Sequence, residues 1–135
     1  MADNGVCWSH QATFEVTPIS AYQARTFVAH HLVDHRLLSL VDPVRLVASE
    51  LATNALVHAH TAFSVTLSAT DETVLLNVRD DSCVPPARRD VQALDASGRG
   101  LEIVGLVSHD WGFDEDGPGS KAVWASFAIR GPRVF

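Results

Sequence analysis

Four features of this sequence have residue types and spacing suited to chemistry. Glu50, Asn54 and His58 recur at i, i+4 and i+8 within DPVRLVASELATNALVHAH, residues 42–60, which aligns a carboxylate, an amide and an imidazole along one line of a helix. Asp80 closes a run of alternating apolar residues, Gly98 and Gly100 open a later helical segment as GRG, and GSK precedes the last apolar alternation. Together these groups suit a nucleotide. The Asn54 amide oxygen is a hard ligand of the kind Mg²⁺ shares with water and phosphates. Glu50, one turn earlier, can accept a proton from an attacking hydroxyl or water. Asp80, acceptor-only when ionised, suits an exocyclic amine such as that of adenine. Gly98 and Gly100 let a backbone approach phosphate oxygens, and the helix they open adds the positive end of its dipole. His58 has no such task and reads as structural.

The elements that must position these groups follow from periodicity. Residues 1–12 read as a flexible lead-in and 13–135 as a single domain, beginning with a short strand at Thr13 to Val16 that Pro18 ends. Ser20 and Gln23 form a capping-box pattern, and Ala24, Phe27, Val28, His31 and Leu32 then recur at helical spacing. The link 33–41 is apolar enough to pack, but its form is ambiguous. Asp42 as N-cap and Pro43 at the first helical position start the second helix, with Val44, Val47, Leu51 and Ala55 as its apolar stripe. Beyond it the period becomes two. Phe63, Val65, Leu67 and Ala69 alternate with Ser64, Thr66 and Ser68; Asp71 and Glu72 turn; Val74, Leu76 and Val78 continue the hairpin as far as Asp80. Asp81 to Ser97, rich in Asp, Ser, Pro and Arg, reads as a long loop placed to gate a site. A third helix buries Leu101, Val104 and Val107. A strand through Trp111 and Phe113, a turn at DEDGPG, and a last strand with Val123, Ala125, Phe127 and Ile129 alternating against Trp124 and Ser126 complete the chain. The pattern predicts an α+β, two-layer α/β sandwich whose mixed, mostly antiparallel sheet carries its helices on one face.

Composition narrows the function classes. The chain has 135 residues, enough for one domain with its own core. Its net charge of −6 argues against binding a nucleic-acid backbone, which calls for a basic face. No stretch of about 18 apolar residues and no charged-then-apolar leader occurs, which predicts no membrane association and a cytoplasmic protein. Of the seven histidines, His30, His31 and His35 cluster and His58 and His60 form HxH. Without HExxH or a neighbouring cysteine they read as partly exposed structural residues rather than a metal site.

The sequence also resembles a known family. ELATNALVHA is similar to the N box, VRDDSCVPP to the first glycine box, SGRGLEIVGLVSHDWG to the second, and GSKAVWASF to the terminal strand motif of the GHKL ATPase superfamily. That superfamily has the Bergerat fold of gyrase, MutL and histidine kinases. The resemblance spans residues 13 to 129 and is nearest to bacterial anti-sigma factor serine kinases and their stand-alone ATP-binding regulatory relatives. It implies ATP and Mg²⁺ as cofactors, Glu50 as catalytic base, Asn54 as Mg²⁺ ligand, and Asp80 as adenine anchor. It also implies that Gly98, Arg99, Gly100 and Leu101 form the phosphate loop. The implied partners are a sigma factor and a STAS-type anti-anti-sigma antagonist, and the implied state is a homodimer. Two departures predict weakened nucleotide affinity: Ser82 and Val84 replace glycines of the first glycine box, and Ala122 stands where relatives often carry a hydroxyl. A non-catalytic ATP-binding or nucleotide-independent partner-sequestering module is the alternative function.

Overall fold

The computed structural model describes residues 6–59, 61–80, 98–115 and 121–129. In chain order they form β1 (Trp8–Phe14), α1 (Ser20–Asp34), a 3₁₀ turn (Leu38–Leu40), α2 (Val41–Asn54), a π-helical turn (Ala55–Ala59), β2 (Phe63–Ala69), β3 (Thr73–Asp80), α3 (Gly98–Val107), β4 (Asp110–Glu115) and β5 (Lys121–Ala128). The five strands form one sheet in the order β1-β2-β3-β5-β4. All four pairings are antiparallel, which is more regular than the mixed sheet expected. The segment 81–97, read from the sequence as a gating loop, lies outside the described residues, as do His60 and residues 116–120.

Alternation along the strands decides which face is buried. Phe63, Val65, Leu67 and Ala69 of β2, Val74, Leu76 and Val78 of β3, and Ala125 and Phe127 of β5 lie in the core. They meet the helical stripes Ala24, Val28 and Leu32 of α1, Val44, Val47, Ala48, Leu51 and Ala52 of α2, and Val104 of α3. The helices thus share one face of the sheet, as the two-layer reading required.

The first strand differs from expectation. It runs over Trp8–Phe14 rather than Thr13 to Val16, so residues 8–12 are strand rather than lead-in. Trp8, His10, Ala12 and Phe14 are half-buried and the residues between them exposed. The alternation is real, but histidine and alanine carry too little apolar signal to announce it. Ser20 also departs from its expected role. It is the first residue of α1 rather than its cap, and its buried hydroxyl donates to the Glu15 carbonyl at 2.6 Å, tying helix to incoming chain. Likewise α2 begins at Val41 with Leu40 as N-cap, so Asp42 lies inside the first turn. There its charge still favours the helix N-terminus, and Pro43 still withholds an N–H that has no intrahelical partner.

The ambiguous link resolves into a helix stop. The Leu37 N–H reaches the Leu32 carbonyl at 2.8 Å and the Arg36 N–H the Val33 carbonyl at 3.0 Å. This is the paired arrangement of a Schellman motif, with half-buried Leu37 packed on the core. Its left-handed position is occupied by Arg36, at φ 63°. An L-residue there carries a penalty that glycine avoids. Arg36→Gly should therefore stabilise the protein by about 0.5–1 kcal/mol, visible as a raised urea midpoint at unchanged m-value.

Close approach explains two glycines. A Cβ at Gly105 of α3 would lie 3.3 Å from Trp111 Nε1, so the absent side chain lets α3 settle on β4. On the opposite face of the sheet, a Cβ at Gly112 would lie 2.9 Å from the Trp124 ring of β5. Gly112→Ala should displace Trp124 and cost about 1–3 kcal/mol. Denaturation followed by tryptophan fluorescence would read both the loss and the altered ring environment, and an unchanged midpoint would contradict this packing.

Candidate nucleotide site

The polar line on α2 survives in part. Val44, Val47, Ala48, Leu51 and Ala52 are buried, and Glu50 and Asn54 follow the edge of that stripe, both half-buried. One turn apart, they present a carboxylate and an amide to the same side. The expected third member does not follow at the same pitch. After Asn54 the backbone widens into the π-helical turn Ala55–Ala59, so the i+4 relation ends there. Single π turns inside helices are rare and recur at functional sites. Nothing in residues 55–59 announces this one, and the His58 side chain lies outside the described residues.

Asp80 is the last residue of β3 and only 4% exposed. It follows Val78 on the helix-facing side of the sheet, opposite Phe63 on one neighbour and Lys121 on the other. Lys121 Nζ lies 3.9 Å from Asp80 Oδ2, with side chains 12% and 5% exposed. A buried carboxylate requires compensation, and this cation supplies some of it. A carboxylate, with two oxygens and about four lone-pair sites, is the acceptor type that suits the exocyclic amine of a base. The GSK segment flagged this region in the sequence, but only the strand register makes Lys121 a neighbour of Asp80.

The same register sets Ala122 opposite Arg79 and Asp114, one step out of phase with Asp80, and Ala122 is 1% exposed.

Gly98, Arg99, Gly100 and Leu101 make the opening turn of α3, which packs against α2. Backbone N–H groups at such a turn are the anion-binding end of a helix. The side chains of Arg99 and Leu101, and the residues Ser82 and Val84, lie outside the described residues. The structure packs α2 against both β3 and α3. A separate recess of about 320 Å³, lined by Arg25, Asp42, Arg45, Leu46 and Ser49, includes none of these groups.

Comparison with known proteins agrees with this layout. A family model described as the histidine kinase-like ATPase domain matches residues 14–127. The chain belongs to that family, and its antiparallel sheet with one helical layer is a Bergerat-type fold. Membership brings ATP binding, typically with Mg²⁺. No curated protein matches the chain. Among the described residues, no helix is long and apolar enough to cross a membrane.

The Asp80 pair can be checked by itself. Lys121→Met should destabilise the protein by about 1–3 kcal/mol, because a buried charge loses the Lys121 cation. Adding Asp80→Asn should recover part of that loss, and a double-mutant cycle that is strictly additive would show the two side chains to be uncoupled.

Proposed function

We propose that this protein is an ATP-dependent serine/threonine kinase that acts as an anti-sigma factor and phosphorylates a small STAS-type antagonist. Family membership supports the ATP-binding part of that reading. The observation that carries the site is the buried Asp80 together with a helix, packed on the same sheet, whose half-buried edge carries Glu50 and Asn54. The donor set fits Mg-ATP: a neutral oxygen ligand in Asn54, a buried acceptor for adenine in Asp80, and backbone donors at Gly98 and Gly100 for phosphate. Mg²⁺, held by Asn54 and phosphate oxygens, would supply charge neutralisation. Glu50 takes the proton of the attacking serine hydroxyl as the new O–P bond forms and the bond to the β-phosphate oxygen breaks, releasing ADP. Phosphoryl transfer asks mainly for positioning and charge compensation, so these few groups suffice. The kinase acts in the cytoplasm as a homodimer, binding its sigma factor when the antagonist is absent.

The alternative, a partner-sequestering module without phosphoryl transfer, draws on Ser82 and Val84 in place of two glycines. Valine resists the positive φ that glycine permits and adds bulk.

Thermal melting with Mg-ATP separates the two. Ligand at about 100 times its Kd adds roughly 2.7 kcal/mol of stability. Asp80→Asn should shrink the shift, whereas Glu50→Ala should leave it intact and abolish phosphate transfer to a co-purified antagonist. No shift at millimolar nucleotide removes the kinase, and transfer surviving in Glu50→Ala removes Glu50 as the base.

A further inference from the structure

The histidines are more organised than a set of surface residues. Trp8 stacks on His35 with ring centroids 3.9 Å apart, and His10 stacks on His31 at 3.8 Å. His10 Nε2 and His35 Nε2 are 3.0 Å apart, so these two imidazoles satisfy one another through a shared proton. His31 does not share in that arrangement. Held between His10 and the edges of Phe27 and His30, it has a buried Nδ1 with no hydrogen-bond partner. An unpartnered buried ring nitrogen is costly, and an ion or water is a common reason for one.

We propose that His30, His31 and Asp34, in the last turn of α1, bind a divalent d-block cation of the zinc class. One ligand atom from each lies within 4.8 Å of the others, and His30 Nε2 is 3.7 Å from Asp34 Oδ2. On the helix circumference Asp34 falls between the two histidines one turn on, so all three reach one point. Two imidazoles and one carboxylate suit zinc, nickel, cobalt or copper(II), with water completing the shell, and suit Mg²⁺ poorly. A further fact favours a cation here. Asp34 places a negative charge at the helix end where negative charge is disfavoured, and a bound cation reverses that. The site is remote from the nucleotide groups: the His10–Trp8 end of β1 pairs toward Ala69 of β2, whereas Asp80 pairs with Phe63 at the other end.

The test uses full-length, tag-free, chelator-stripped protein without nucleotide, titrated with Zn²⁺ by calorimetry and with Co²⁺ by visible absorption. One saturable site is expected, with a Co²⁺ ligand-field band and a raised melting temperature. Binding should weaken as pH falls below the imidazole range, where protons compete for the rings. His30 and Asp34 are exposed, 65% and 64% at the side chain, so His30→Ala and Asp34→Ala keep the fold and should each weaken binding at least about tenfold. His31→Phe keeps the stack on His10 and should abolish binding. Absence of saturable binding at millimolar Zn²⁺, binding unchanged in the His30→Ala/Asp34→Ala double variant, or displacement by equimolar Mg²⁺ would each overturn the proposal.

Discussion

The seating of α2 on the sheet is the constraint on which the rest of this structure depends. Its buried stripe, from Val44 through Ala52, lies against the inner faces of β3 and β5. Alanines at 48 and 52 bring the helix close, and Leu51 fills the space between. Because a helix has only one rotation that buries such a stripe, apolar packing sets the positions of Glu50 and Asn54. A polar line set by its neighbours is rigid without having to order itself, which a site working by positioning requires.

The same economy appears at Asp80. Strand alternation that buries Val74, Leu76 and Val78 also turns Asp80 inward, and the antiparallel register with β5 sets Lys121 beside it. A carboxylate at the end of a regular strand is thus delivered to the inner layer by the pleat, and its charge is met by a residue distant in sequence.

Much of this was legible in the sequence because periodicity reports burial. Phe63 to Ala69 and Val74 to Val78 alternate cleanly, and the structure places them as read. Helix ends were less legible. Capping patterns at Ser20 and Asp42 are local signals, and both were overridden: Ser20 finds a better partner in the Glu15 carbonyl, and the 3₁₀ turn at Leu38–Leu40 feeds α2 two residues early. β1 was misplaced because His10 and Ala12 mark its inner face only weakly. The histidine cluster joins β1 to the end of α1, so it could not be seen while β1 was placed beyond it. The neighbours of Asp80 and Ala122 depend on register, which no short motif encodes.

The strand order leaves β1 and β4 at the two borders of the sheet. They differ in kind. β4 reads DWGFDE, with Asp110 and Asp114 exposed, whereas β1 reads WSHQATF and has no acidic residue. Another copy of β4 approaching edge to edge would bring carboxylate against carboxylate, so that border is closed to growth by charge. Within β1 itself the only titratable side chain is an imidazole already engaged with its neighbour. Any strand added to this sheet from outside would meet far less electrostatic resistance there, which gives an otherwise symmetrical row of strands one guarded side and one open side.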